Sequence, residues 1–416
     1  MAKSAPQKLV KLDGRTGEGG GQLVRIAVSL AALTGTPLLI TNVRGNRLGK
    51  RNVGLKAQHV SAIKWLAKIT SAETTGCFVG SKTIEFKPNS LHHYTIDRDI
   101  KIDADSASSI LLVLQAILPV VLFANDAAAL PISLSIKGGT NGSFSLSYEY
   151  LDQVLLPTLK RFGICVEREL KVRGWSHGPL KLGHAEFKIH PIPFGQSLKV
   201  PNWPTERGIV KEIDISILVL ETLQGPLENA LATTIKQRFP EVKINIALRE
   251  NTHRIYTLLV AHTSTGLRFG RDWLYDRKTK DRTPEDISAE IAGKVVEDLD
   301  SEFKKGGLVD EYLQDQLVIF QALADGRSTI LGHELSSDPR SRPDRTDEPF
   351  GDGSRHTTTA RWVASQMLPQ LKWYNNGQTC EGVGWKINAS NITMVSDNFD
   401  EIYQFIIKNR IAKLYQ

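Results

Sequence analysis

Cysteine is scarce in this 416-residue chain. Cys77, Cys165 and Cys380 are odd in number, far apart and form no CxxC. That pattern argues against a disulfide scaffold or a cysteine zinc site and fits a reducing compartment. Long apolar runs are missing too. The longest, Ile110 to Phe123, contains Gln115 and Pro119 and is too short to cross a bilayer. It reads as a buried core helix, and no membrane partner is expected. The first twelve residues hold no apolar core of signal-peptide length. HxH, HExxH and GxSxG are all absent, which leaves zinc and serine hydrolases without support.

What is present is an ordinary globular balance, with 41% hydrophobic and 23% charged residues. A chain of this length and composition forms two or three packed domains rather than a disordered polymer. Its formal charge of +7 suits polyanionic partners such as RNA or nucleotides. Many proteins that bind no nucleic acid carry the same excess.

One pattern recurs along the sequence: an apolar-periodic helix, then a second some 35 to 45 residues later. The first pair is Glu18 to Leu33, stopped by Gly35, and Leu55 to Ile69. The second is Ser106 to Phe123 and Tyr148 to Phe162. The third is Val309 to Asp325 and Arg355 to Leu368. Short runs rich in β-formers lie between them, at Leu38 to Val43, Thr83 to Phe86, Ile132 to Ile136 and Ile392 to Val395. Two helices and several strands per unit predict helices packed on one face of a sheet, an α/β (α+β) plan in three repeated units. The third unit is displaced by more than 100 residues, which predicts an insertion. The expected division is 1–192 for the first two units, 193–305 for a smaller inserted α/β domain, and 306–416 for the third unit. The inserted segment has strands at Val242 to Ala247 and Tyr256 to Ala261 and a helix at Ser288 to Phe303. Phe399 to Tyr415 reads as a C-terminal amphipathic helix. Ser336 to Ser354, with Pro339, Pro343 and Pro349 and no apolar periodicity, reads as a mobile loop.

Three segments have the residue types for phosphate chemistry. Asp13 to Gln22 is glycine-rich and opens a helix, where backbone N–H groups can approach an anion closely. Its spacing is neither the Walker nor the dinucleotide pattern. Glu18 beside that turn suits a divalent cation bridging phosphates; a tight turn with a favourable first-turn Glu explains the same residues. Arg44, Arg47, Lys50, Arg51 and Lys56 crowd between a strand end and a helix start, with Arg25 close by along the first helix. They suit forked hydrogen bonds to phosphate, or a solvated basic loop. His356 follows Ser354 at a helix start, where the dipole disfavours the imidazolium and leaves a ring nitrogen free to attack phosphorus. A lone histidine there is also an ordinary surface residue.

Together these segments resemble the RNA 3′-terminal phosphate cyclase family. The resemblance is carried by Asp13-Gly14 through Glu18-Gly19-Gly20-Gly21-Gln22, Arg25, Arg44-Gly45-Asn46-Arg47, Gly54-Leu55 and Gln58-His59. It continues in Leu114-Gln115, Leu118-Pro119, Gly138-Gly139-Thr140 and Arg207-Gly208, and most specifically in Asp310-Glu311-Tyr312-Leu313-Gln314-Asp315-Gln316-Leu317 and His356-Thr357-Thr358-Thr359-Ala360. It implies three units of two helices on a four-stranded sheet, with the smaller domain inserted before the third. It also implies that His356 attacks the α-phosphate of ATP. AMP then passes to an RNA 3′-phosphate, and the 2′-hydroxyl closes a 2′,3′-cyclic phosphate. On this resemblance Glu18 contacts a metal (Mg or Mn), and Arg25, Arg44, Arg47 and Gln58 bind phosphates or RNA. Gln115, Tyr312, Asp315 and Gln316 form the nucleotide site. RNA 3′ ends are the expected partner, and residence is expected inside the cell, the nucleus ahead of the cytoplasm.

The sequence departs from the family pattern in places. Asp105 and Ser108 stand at two usual glycines, Leu146 and Val53 at usual prolines, and Trp175-Ser176-His177 follows Arg173-Gly174 where three glycines are expected. The loops holding Lys50 and Arg51 and preceding His356 are longer. Two other functions fit such departures: a cyclase-like protein that acts in ribosomal RNA maturation without cyclising, and a pure RNA binder. The non-cyclising branch typically lacks the histidine, so His356 favours the enzyme.

Overall fold

The computed structural model describes residues 8–47, 53–89, 96–104, 108–124, 129–176, 182–333 and 342–387. The expected strand at 392–395, the C-terminal helix at 399–415, and Lys50, Arg51 and Asp105 lie outside the described residues.

The first unit runs β1 (Val10–Asp13), α1 (Gly21–Thr34), β2 (Leu38–Thr41), α2 (Ala57–Thr70), β3 (Glu73–Thr75) and β4 (Ile84–Lys87). Its sheet order is β1-β2-β4-β3, with β1 parallel to β2 and the other pairs antiparallel. The second unit is β5 (Asp99–Asp103), α3 (Ile110–Leu122), β6 (Ile132–Gly138), an irregular helix over 148–162, β7 (Cys165–Val172) and β8 (Gly183–His190). Its order, β5-β6-β8-β7, repeats the first. The third unit holds α8 (Glu311–Leu323), β13 (Asp325–Thr329), α9 (Arg355–Met367), β14 (Lys372–Tyr374) and β15 (Thr379–Val383). Its sheet, β13-β15-β14, has three strands among the described residues where four were expected. The strand without a counterpart is the one parallel to its neighbour in the other units. Before the third unit come β9 (Val210–Val219), α6 (Glu221–Arg238), β10 (Lys243–Asn251), β11 (Tyr256–Thr263), β12 (Arg268–Leu274) and α7 (Pro284–Lys304), in sheet order β10-β9-β11-β12.

The repeated units share one apolar core, and the inserted elements have another, in which Ile213, Ile215 and Ile217 of β9 meet Leu227, Leu231 and Ile235 of α6. Helix α1 is the hub. Every residue from Gly21 to Thr34 is buried, because α1 packs against both α3 and α9. A helix surrounded in this way is apolar on nearly all sides, so its few polar residues stand out.

Two helices differ from the sequence expectation. No helix was expected at α6: Leu223, Leu227, Leu231 and Ile235 recur at helical spacing, but Gly225-Pro226 mimics a turn. The 148–162 segment, expected as one helix, splits into α4 (Tyr148–Tyr150), a π turn (Leu151–Leu155), α5 (Leu156–Leu159) and a 3₁₀ turn (Lys160–Phe162). Pro157 has no N–H for the carbonyl of Gln153 four residues back. Arg268 of β12 donates to that carbonyl instead, at 2.7 Å.

Residues 336–341 of the loop expected before α9 lie outside the described residues; the described part, 342–354, is not the free segment its composition predicted. Across residues 342–354, Asp344 N donates to Trp373 O at 2.7 Å and Asp344 Oδ2 accepts from Gly377 N at 2.7 Å. Gln366 donates to Thr346 O at 2.8 Å, and Phe350 packs edge-on against Trp373. Long-range bonds to α9 and the 373–377 turn hold this part in place. No local periodicity would reveal them.

Candidate active site

The N-termini of α1 and α9 meet. Gly17 and Gly19 take left-handed φ values of +64° and +62°. A Cβ on Gly17 would lie 2.1 Å from Thr359 Oγ1. With no side chain there, Thr359 docks on the turn, accepting a hydrogen bond from Glu18 N at 2.8 Å and donating to Arg355 O at 2.6 Å. Glu18 is thereby fixed beside the first turn of α9. That turn is capped by Ser354, whose Oγ accepts from Thr357 N at 3.2 Å.

His356 sits two residues past this cap. Its Nδ1 lies 2.6 Å from Gln22 Oε1. An amide oxygen only accepts, so Nδ1 carries the proton and Nε2 keeps its lone pair. Nε2 points toward Glu18, 4.0 Å from Oε1. Burial pushes the imidazole below its usual value; Asp315 opposes this, and Arg25 and Arg47 lower it further. Asp315 moves the other way: burial raises its carboxyl, against the pull of His356, Gln316, Gln22 and Arg25. The outcome is a neutral imidazole with one free nitrogen.

Around this pair stand the cations. Arg25 is 9% exposed and donates from Nε to Gln115 Oε1 at 2.6 Å, which joins α1 to α3. Burial holds its guanidinium at about 10. Arg47 forms an ion pair with Glu18. Arg44 has a left-handed φ of +56° just past β2, and its positive charge reaches Arg25, Lys56 and His59. His59, in the first turn of α2, accepts from Lys56 N at Nδ1, 3.0 Å away, while its buried Nε2 has no hydrogen-bond partner. Burial, then Arg25, Arg44 and Lys56, keep it well below its usual pKa.

On α8, Gln316 donates to Asp315 Oδ1 at 2.9 Å. Tyr312 lies on another side of the helix, 41% exposed, with Arg271 of β12 4.1 Å from its ring centre. Arg271 is itself paired with the buried Glu302 of α7, so the inserted elements brace this tyrosine. Behind it, buried Asp310 caps α8 and accepts from Tyr150 OH at 2.6 Å, Gly270 N at 2.8 Å and Leu313 N at 2.9 Å.

The structure therefore gathers Glu18, Arg25, Arg44, Arg47, Gln115, Asp315, Gln316 and His356 at one junction of α1, α3, α8 and α9. Gln58 is buried beside His59 at the start of α2, and Tyr312 flanks the junction. Two positioning residues were not singled out from the sequence, Gln22 and Thr359. Both fall inside motifs that were. The available signal was the polarity of Gln22 within a mostly apolar helix.

The residues fit a divalent cation at Glu18. Its buried Oε1 is paired with Arg47, while its buried Oε2 has no partner among the described residues. No cluster of three His, Cys, Asp or Glu side chains able to hold a metal occurs among the described residues. One carboxylate, with phosphate oxygens and water completing the shell, is the arrangement magnesium accepts.

A family model described as RNA 3′-terminal phosphate cyclase matches residues 16–370 of the chain. Proteins named RNA 3′-terminal phosphate cyclase are similar along most of its length. One from Drosophila melanogaster is 28% identical, covering 91% of this chain and 98% of its own. One from Ignicoccus hospitalis is 32% identical, covering 89% and 96%. One from Methylococcus capsulatus is 30% identical, covering 86% and 91%.

Proposed function

This chain belongs to the RNA 3′-terminal phosphate cyclase family, and from that premise we propose that it uses ATP to convert an RNA 3′-phosphate into a 2′,3′-cyclic phosphate, with AMP carried on His356. The observation that supports this reading is the orientation of His356. Gln22 fixes the Nδ1–H tautomer, and Nε2 faces Glu18 and the arginines.

In the first step the Nε2 lone pair attacks the α-phosphorus of ATP. The bond from that phosphorus to the bridging oxygen breaks, and pyrophosphate leaves with the electron pair. Gln22 orients the ring and stabilises the Nδ1–H as positive charge develops on it. Arg25, Arg44 and Arg47 offset the charge that builds on phosphoryl oxygens. Glu18 would hold a divalent cation, which supplies further positive charge to the phosphates when bound. Tyr312, Asp315, Gln316 and Gln115 line the nucleotide side. An oxygen of the RNA 3′-phosphate then takes AMP from Nε2. The neighbouring 2′-hydroxyl attacks the activated phosphorus, losing its proton, and AMP departs. Gln58 and the arginines hold the RNA phosphate during both transfers.

ATP labelled at the α-phosphate tests the reading. With divalent metal the protein should acquire an acid-labile label, because protonation of a phosphoramidate nitrogen promotes hydrolysis. His356→Ala should remain unlabelled, and equal labelling of both would remove His356 from the mechanism. Archaeal and bacterial relatives carry the same name, so the reaction itself says nothing of nuclear residence. Among the described residues no helix is long and apolar enough to cross a membrane.

A further inference from the structure

Phe78 and Val79, in the turn between β3 and β4, are 62% and 60% exposed. They border a groove whose other wall is α2, with Trp65, Lys64 and Lys68, and whose floor continues to Lys101 of β5. Exposed adjacent apolar side chains rimmed by charge mark a binding surface. The rim is positive. Lys64 and Lys101 have no ion pair among the described residues, Lys68 reaches only the exposed Asp97 at 3.6 Å, and the one acid lining the groove is Asp103.

The groove is built rather than incidental. Gly76 and Gly80 take φ values of +83° and +88° on either side of Phe78. Gly80 N donates to Leu55 O at 2.8 Å and Leu55 N to Ser81 O at 2.9 Å, which fixes the turn against the chain entering α2. Ser61 Oγ donates to Asp103 O at 3.1 Å and ties the helix to the second unit. The groove and the candidate active site share the start of α2. The groove begins at Ala57, immediately before Gln58 and after Lys56, whose ammonium feels Arg44. From Ala57 to Lys68 it follows the helix for about 16 Å.

We propose that this groove is the track for the unpaired nucleotides preceding the reacting RNA 3′ end, with bases stacking on Phe78 and Trp65 and phosphates facing Lys64, Lys68 and Lys101. Aromatic rings interleaved with lysines are how proteins hold single strands without reading sequence. A duplex would hide the base faces that the rings contact. The inference rests on the proposed function, because that reading places the 3′-phosphate at His356.

The test uses the full chain and two RNAs ending in 3′-phosphate, a fluorescein-labelled decamer and a dinucleotide. Phe78→Ala and the double variant Lys64→Glu, Lys101→Glu should each weaken decamer binding about tenfold, by anisotropy, as loss of one stacked base or two phosphate contacts would. The KM for cyclising the decamer should rise in parallel, with the dinucleotide KM unchanged. 4-Thiouridine at the second to fifth nucleotide from the 3′ end should crosslink to Phe78 or Trp65. Unchanged decamer binding in both variants, or crosslinks confined to other surfaces, overturns the groove. Binding and crosslinking require no catalysis. A wild-type protein that crosslinks here without cyclising counts against the proposed reaction alone, whereas normal cyclisation with an unchanged decamer KM in both variants counts against the groove alone.

Discussion

Gln22 Oε1 and His356 Nδ1 lie 2.6 Å apart although 334 residues separate them along the chain. This contact decides which imidazole nitrogen is available. Gln22→Ala should slow AMP transfer by about ten- to a hundredfold, the worth of one hydrogen bond to a group that gains charge in the reaction. Single-turnover labelling with ATP checks it. A rate within twofold of wild type would show that Gln22 does not orient the histidine.

The pH profile should carry the sign of the His356 shift. In the unfolded chain the imidazole titrates near 6.5; in the fold, burial lowers it, Asp315 raises it, and Arg25 and Arg47 lower it again, leaving a net decrease. His356 therefore stays neutral as pH falls through 6.5, and the acid limb of adenylylation should lie below that value. Arg47→Ala should move the limb upward. The linked stability has the same direction. Below 6.5 the unfolded chain takes the proton first, so the stability His356 contributes at neutral pH is lost as pH falls to its folded-state pKa. An acid limb at or above 6.5 would contradict the geometry.

Tyr150→Phe isolates the support beneath α8. The change keeps the ring and removes the 2.6 Å hydrogen bond to Asp310, a carboxylate that is fully buried and also caps the helix. Stability should fall by about 1.5–3 kcal/mol, as expected for a hydrogen bond to a charged group. Urea unfolding measures it. A loss below about 0.5 kcal/mol would mean that the two backbone donors suffice.

Replacing residues 342–353 with a Gly/Ser linker should lower both the melting temperature and the rate of AMP transfer. The loop is bonded to α9 and to the 373–377 turn, and Pro349 comes within 3.2 Å of where a Gly17 Cβ would stand. Differential scanning calorimetry and labelling read the two effects. Unchanged values of both would reduce the segment to a surface decoration.

Periodicity and stop signals located most of the helices. Gly35, with its left-handed φ of +73°, ends α1, and Ser354 caps α9. Local chemistry also marked Glu18, the arginines and His356, because glycine turns, clustered cations and a helix-start histidine are visible in a few residues. Long-range contacts were not legible. The 148–162 segment reads as one helix; the π turn goes with Pro157, which leaves Gln153 O without its helical donor, and with β12, which arrives from more than 100 residues away to supply another. The loop before α9 looked free because its partners, Trp373 and Gly377, follow it beyond a whole helix.

The sequence by itself determined the repeated helix–strand plan and the residue types available for phosphate chemistry, since both depend on side-chain pattern within a turn or two of chain. The tertiary structure alone decided their roles. Thr359 sets Glu18 beside α9, Gln22 selects the His356 tautomer, and burial among α1, α3, α8 and α9 makes Arg25 and Asp315 felt at the imidazole. Electrostatics and hydrogen bonds act over a few ångströms of space, and only folding brings these distant stretches of chain that close.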